Sequence, residues 1–203
     1  MKEKIVNSCI SLIKNNNPKY SSTKLAEIKY GLEGIYLLIT KLVVIGILAY
    51  FLNLFAELLI FLLIYNFIRM PSFGLHATKS WICLLSSIII FIGVPIFCKE
   101  IIMPSFIKAI LGIITIVLFY KNAPADTYKR PIVNPKRRLC YKYLSVLVAI
   151  IYSFCALFIT NNFIANTFIS ALIVQCFMIS PTIYKLFNLP YDNYKTYLAK
   201  KAI

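Results

Sequence analysis

Six apolar runs divide this chain, and they restrict its fold more than any other feature of the sequence. They cover residues 34–51, 54–68, 81–97, 106–120, 143–160 and 163–179. Each is close to the shortest helix that crosses about 30 Å of hydrocarbon. Apolar residues make up 60% of the chain and the mean hydropathy is +0.79, outside the range of soluble proteins. We therefore predict an all-α, polytopic membrane protein with about six transmembrane helices.

No part of the chain has the composition of a separate soluble module. We predict one integral membrane domain over residues 1–203, with an interfacial segment (1–30), a six-span bundle (34–179) and a tail (180–203). In the first segment, apolar residues between Ile5 and Ile13 fall mostly on one side of a helix. This pattern predicts an N-terminal amphipathic helix that either lies on the membrane surface or packs on the bundle.

Basic residues indicate the orientation of the spans. Lys and Arg number 22 against 7 Asp and Glu, and they are concentrated before the first span, in the second and fourth connections and in the tail. The third connection carries only Lys99. Because basic loops stay in the cytoplasm, six spans with both termini cytoplasmic satisfy this distribution. The same excess suits contact with anionic lipid or attraction of an acidic peptide, and we expect no nucleic-acid partner.

His76 and Cys83 are a candidate catalytic pair in the second connection. His76 is the only histidine, and an imidazole is the usual base that activates a thiol. The alternatives are an interfacial histidine and a small buried cysteine. One straight helix would separate these residues by about 10.5 Å, too far for a direct pair. We therefore expect Cys83 near the start of the third span and His76 on a bent segment, broken at Pro71 or Gly74.

The six cysteines do not pair at the spacing of metal ligands, and a single histidine is available. We therefore predict no metal, no cofactor and no disulfide framework.

Arg69, Gly74, His76, Ala77 and Cys83 resemble the motif of the AgrB family, the membrane cysteine endopeptidases of Gram-positive quorum sensing. Further similarity lies in residues 30–33, 123–127 (Ala-Pro-Ala-Asp-Thr), 129–138 and 179–185. The resemblance covers roughly residues 25 to 190.

The resemblance implies a reaction. Such an enzyme cleaves an AgrD-like propeptide on the C-terminal side of its signal core and keeps the core as a thioester. A Cys or Ser of the core then displaces the enzyme and closes a thiolactone or lactone. It also implies a homodimer in the cell membrane of a Gram-positive bacterium, and a substrate with an amphipathic helix and an acidic tail.

The residues suit this chemistry, with Cys83 as nucleophile and His76 as base and later acid. A third group should orient the imidazole, and the sequence offers Glu33, Gln175 and Ser180.

The predicted substrate site contains Arg69 and Gly74, the latter as a backbone turn. Arg69 either binds the substrate or extends to the membrane interface. The central loop adds basic residues that either bind the acidic tail or contact lipid headgroups: Lys129, Arg130, Lys136, Arg137 and Arg138. Two rival functions are a small peptide exporter and a noncatalytic membrane scaffold.

Overall fold

The computed structural model describes residues 2–75, 80–127 and 131–201. The all-α prediction is confirmed: these ranges are helical apart from connections and contain no strand. The chain divides into two compact units, residues 1–48 and residues 49–203. The prediction of a single domain stays a prediction.

The first unit contains α1 (Lys2–Asn16) and most of α2 (Ser22–Phe51). The predicted N-terminal helix is thus present as α1. Within this unit the Nζ of Lys2 lies 3.3 Å from a carboxylate oxygen of Glu33. Ser21 caps α2 by accepting the Lys24 N–H. The helix begins twelve residues before the predicted span. The prediction missed these residues because the first turns of α2 are polar and hydropathy detects only the apolar part.

The second unit contains the remaining helices. These are α3 (Phe55–Ser72), α4 (Ser80–Ile88), a π-helical segment (Ile89–Gly93), α5 (Val94–Glu100), α6 (Ser105–Asn122), α7 (Pro135–Phe158), α8 (Asn162–Ile179), α9 (Pro181–Leu186) and α10 (Asn193–Lys201). Six helices of the described chain are long and apolar enough to cross a membrane. They are α2, α3, the segment 81–100, α6, α7 and α8. The prediction of six spans is confirmed, and the protein is a multi-pass membrane protein.

The third span is irregular at its centre. Pro95 lacks the N–H group that would bond to the carbonyl of Phe91 in a regular helix. The π-helical segment ends directly before this point, and π-helical turns are a common accommodation of such a defect.

The core of the second unit is α8, which contacts α3, α5, α6 and α7. Ile169, Leu172 and Ile179 are fully buried along it. Large apolar side chains on the other helices are exposed, as expected where lipid rather than water surrounds the protein. The buried hydroxyls of Thr167 and Ser153 donate within their own helices, to the carbonyls of Phe163 and Ala149.

Polar contacts join the helices at the end where α3 begins and α5 ends. The Nζ of Lys99 lies 2.6 Å from a carboxylate oxygen of Glu57. At the same end, the side-chain amide of Asn166 donates to the carbonyls of Cys98 and Ile101. The single basic residue of the third connection is therefore paired with an acid.

Candidate active site

Cys83 is the fourth residue of α4 and is half-buried. The sequence predicts this location near the start of the third span. His76, Lys129 and Arg130 lie outside the described residues.

The chain reverses between α3 and α4 at Phe73 and Gly74. The helix α3 continues through Pro71 and ends at Ser72, so the break does not occur at the proline. Phe73 has φ 57° and Gly74 has φ 114°, both in the left-handed region. A Cβ on Gly74 would stand 2.8 Å from the carbonyl oxygen of Met178. Only glycine suits this position, which agrees with the predicted backbone turn.

Leu75, the residue directly before His76, is held through both of its backbone groups. Its N–H donates to the Met178 carbonyl at 2.9 Å. Its carbonyl accepts from the Nη2 of Arg69 at 3.0 Å, while the Nη1 of Arg69 donates to the Tyr65 hydroxyl at 2.8 Å. Arg69 is therefore engaged inside the protein rather than extended toward a membrane interface.

Gln175 fixes the turn from the opposite side. Its Nε2 donates to the carbonyl of Phe73 and to the hydroxyl of Ser72, which itself donates to Ile68. Because a carbonyl only accepts, the carboxamide can have only this orientation. Its Oε1 is buried and accepts no hydrogen bond from any residue that the structure describes. Gln175 thus presents a free acceptor beside the turn that precedes His76.

The segment 123–127 packs against the same turn. Phe73 and Ala125 form a parallel β-bridge. The Ala125 N–H donates to the Ser72 carbonyl at 3.0 Å, and the Gly74 N–H donates to the Ala125 carbonyl at 2.8 Å. The Phe73 ring also meets Tyr141 of α7 edge-on, with centroids 5.0 Å apart. Two regions with family-like sequences are therefore joined in space.

The other two candidate orienting residues have different surroundings. Glu33 belongs to the first unit, where it pairs with Lys2. Ser180 is the residue before α9, and its side chain makes no capping bond to that helix.

The basic residues at the start of α7 differ in exposure. Lys136 and Arg137 are exposed. Arg138 is half-buried, with 23% of its side chain exposed. Its guanidinium carbon lies 3.7 Å over the Tyr194 ring, and its Nη2 lies 3.5 Å from a carboxylate oxygen of Asp192. Lys136 and Arg137 are therefore available to a partner, whereas Arg138 serves internal packing.

Sequence reasoning missed the residues that hold the turn. Tyr65 stands four residues before Arg69 on one helix, a spacing that could have indicated the pair. Met178 and Ala125 contribute only backbone atoms, so their side chains carry no signal. No group of three His, Cys, Asp or Glu side chains that could hold a metal occurs in the described ranges.

Comparison with known proteins gives consistent matches. The sequence model described as accessory gene regulator B matches residues 6–179. An AgrB-like protein of Clostridium acetobutylicum is 29% identical over 185 residues, covering 91% of this chain and 88% of its own. An AgrB-like protein of Listeria monocytogenes serovar 1/2a is 31% identical, covering 84% of each chain. Accessory gene regulator protein B of Staphylococcus aureus is 30% identical, covering 78% and 83%. No solved structure matches the chain significantly.

Proposed function

The chain belongs to the accessory gene regulator B family and takes part in accessory gene regulator quorum sensing; from that premise we propose that it is a membrane cysteine endopeptidase. Its substrate is an AgrD-like propeptide, cleaved on the C-terminal side of the signal core. The observation that carries the proposal is the attachment of Leu75 through both backbone groups, directly before the only histidine. A catalytic base needs such a fixed support, because its position within a few tenths of an ångström determines the rate.

The first step transfers the core to the enzyme. His76 removes the proton from the Cys83 thiol, and the sulfur attacks the carbonyl carbon of the scissile peptide bond. His76 then protonates the leaving amine as the C–N bond breaks, which leaves the core as a thioester on Cys83.

The second step closes the ring. A thiol or hydroxyl within the core attacks the thioester carbonyl and gives up its proton to His76. The C–S bond to Cys83 breaks, and the sulfur recovers a proton. The product is a cyclic thiolactone or lactone, and no water is consumed. Exclusion of water therefore protects the intermediate, which suits a nucleophile at the start of a membrane span.

Among the three candidate orienting residues, we favour Gln175. Its buried Oε1 is an acceptor suited to an imidazole N–H, and its Nε2 already holds the turn before His76. Arg69 is then a residue that holds the loop, through Leu75, rather than a ligand of the substrate tail.

The remaining parts of the proposal concern partners and orientation. The exposed Lys136 and Arg137 suit either the acidic tail of the propeptide or anionic lipid. The charge asymmetry of the loops favours cytoplasmic termini and a cytoplasmic catalytic loop in a Gram-positive cell membrane. From the family resemblance we also propose that the protein is a homodimer.

The experiment co-expresses the chain with a propeptide and follows cleavage by gel and mass spectrometry. Cys83→Ala should abolish cleavage while membrane insertion is retained. Cys140→Ala is the matched control, because Cys140 is an exposed cysteine elsewhere. A core peptide attached to Cys83 and released by hydroxylamine would support the thioester. Normal cleavage by well-inserted Cys83→Ala would refute the enzyme and favour the exporter or the scaffold.

A further inference from the structure

Asp126 carries a buried carboxylate that is surrounded by donors. Its exposure is 2%. One carboxylate oxygen accepts the Asn193 N–H at 3.0 Å, and the other accepts the N–H groups of Tyr194 at 3.0 Å and Ile132 at 3.2 Å. The Nη1 of Arg138 lies 3.8 Å from the second oxygen. A buried carboxylate costs several kcal/mol unless it is paired in this way, so the arrangement is specific.

These donors mark a helix start. Asn193 and Tyr194 are the first residues of α10, whose first N–H groups have no acceptor within the helix. Asp126 caps this helix from a distant part of the chain, and its negative charge also suits the positive end of the helix dipole. A side chain of the Ala-Pro-Ala-Asp-Thr sequence therefore binds the C-terminal segment, which we define as residues 184–194.

The C-terminal segment binds the same loop at further points. The Tyr184 hydroxyl donates to the Asp126 carbonyl at 3.2 Å, and the Tyr191 hydroxyl donates to the Asn122 carbonyl at 3.3 Å. Burial raises the pKa of Tyr191 to about 12, with the charge of Asp192 as a further cause. Tyr191 is thus a reliable donor at neutral pH. The side-chain amide of Asn193 donates to the Asp126 carbonyl as well.

The loop connects this segment to the turn before His76. Ala125, the neighbour of Asp126, bonds Ser72 and Gly74 through its own N–H and carbonyl. Gly74 in turn precedes Leu75, whose backbone is held by Met178 and Arg69. A continuous series of contacts thus runs from the start of α10 to the residue before His76. The family match ends at residue 179, before the C-terminal segment begins.

We propose that Asp126 is a positioning residue for catalysis, and that the C-terminal segment acts through it to hold the turn that carries His76. This inference rests on the proposed function. Asp126 touches no reacting atom in this scheme; it fixes Ala125, and Ala125 fixes Ser72 and Gly74. Loss of the carboxylate should therefore slow the chemical step and leave binding of the propeptide nearly unchanged.

The test measures single-turnover formation of the Cys83 thioester against propeptide concentration, in purified full-length protein. Asp126→Asn keeps the shape of the side chain but turns an amide toward backbone donors. Its maximal rate should fall about 10- to 100-fold, the size expected for a small misplacement of a catalytic group. The half-saturating concentration should change by less than about 3-fold, since substrate contacts remain.

A truncated chain ending at Pro190 tests the C-terminal segment itself. Its maximal rate should fall by the same factor as that of Asp126→Asn. The two changes together should lower the maximal rate no further than either alone, because both break one series of contacts. A chain ending at Tyr197 is the matched control, because it keeps Asn193 and Tyr194, and it should behave as the parent. Tyr184→Phe removes a single hydroxyl and should give an intermediate loss.

The outcomes separate this inference from the proposed function. If Cys83→Ala still forms product, the proposed function fails. If Cys83→Ala is inactive but Asp126→Asn and the chain ending at Pro190 react at the parent rate, only the positioning role fails. A raised half-saturating concentration with an unchanged maximal rate, or additive losses in the combined variant, would also overturn it. If Asp126→Asn fails to fold, the positioning role is tested with Tyr184→Phe and the two truncated chains, whose maximal rates and half-saturating concentrations are judged in the same way.

Discussion

Arg69 donates a hydrogen bond from its Nη2 to the carbonyl oxygen of Leu75, 3.0 Å away. Its second nitrogen binds the Tyr65 hydroxyl in the core. This single side chain therefore ties the residue before His76 to the interior of α3. A charged residue at the end of a span, which in isolation suits contact with the interface, here supports the turn that precedes His76.

Replacement of Arg69 by Lys should reduce propeptide cleavage about 10-fold or more. An ammonium group cannot reproduce the planar fork that reaches two acceptors at fixed angles, so Leu75 would shift. Tyr65→Phe, which leaves the bond to Leu75 intact, should lose less. Cleavage per inserted protein measures both. An Arg69→Lys loss that disappears when the propeptide tail is made neutral would instead indicate tail binding.

Gly74→Ala should abolish most cleavage. The added Cβ would meet the Met178 carbonyl oxygen at 2.8 Å, and alanine rarely adopts φ 114°. Gly93→Ala is the matched control, because a Cβ there has no atom within 4 Å among the described residues. Membrane yield and cleavage should be measured for both. Equal activity of the two variants would show that the turn tolerates a side chain and that its tight contact with α8 is not needed.

Two buried amides on α8 should differ in their effect on catalysis. Gln175→Leu leaves the Phe73 carbonyl without its donor and should lower stability by about 1–3 kcal/mol. Asn166→Leu should cost a similar amount at the other end, where Asn166 serves Cys98 and Ile101. Thermal unfolding in detergent gives the stability. Cleavage per folded molecule should fall only for Gln175→Leu. An equal fall for Asn166→Leu would indicate that Gln175 affects cleavage only through the stability of the fold.

Lys136 and Arg137 should contribute to capture of the acidic tail. Their joint replacement by Glu should raise the half-saturating concentration of the propeptide about 10-fold, from two exposed charge interactions. A propeptide with a basic tail should recover part of the loss. An equal loss with both tails, or altered insertion, would indicate lipid contact instead.

Arg138→Gln should resemble Asp126→Asn in its maximal rate, because Arg138 contacts Asp192 and the Tyr194 ring.

The fold class and the number of spans could be predicted from the sequence alone. Hydropathy over a helix-long window is a local property, and six runs come close to the length that a bilayer demands. It also predicted that Cys83 lies near the start of the third span, and Cys83 is the fourth residue of α4. The sequence predicted only part of α2, because its first turns consist of polar residues that form a helix but are not hydrophobic.

The contacts of the polar residues could not be predicted in the same way, because they form only in the folded chain. Arg69, Arg138 and Gln175 are each compatible with substrate, lipid or core contacts when judged from the sequence. Apart from Tyr65, which stands one turn before Arg69, their partners are distant along the chain or, as with Leu75 and Phe73, are backbone carbonyls that every residue possesses. Asp126 lies 67 residues before the N–H group that it caps. Such pairings depend on how distant helices and loops pack together, which no local pattern of side chains records.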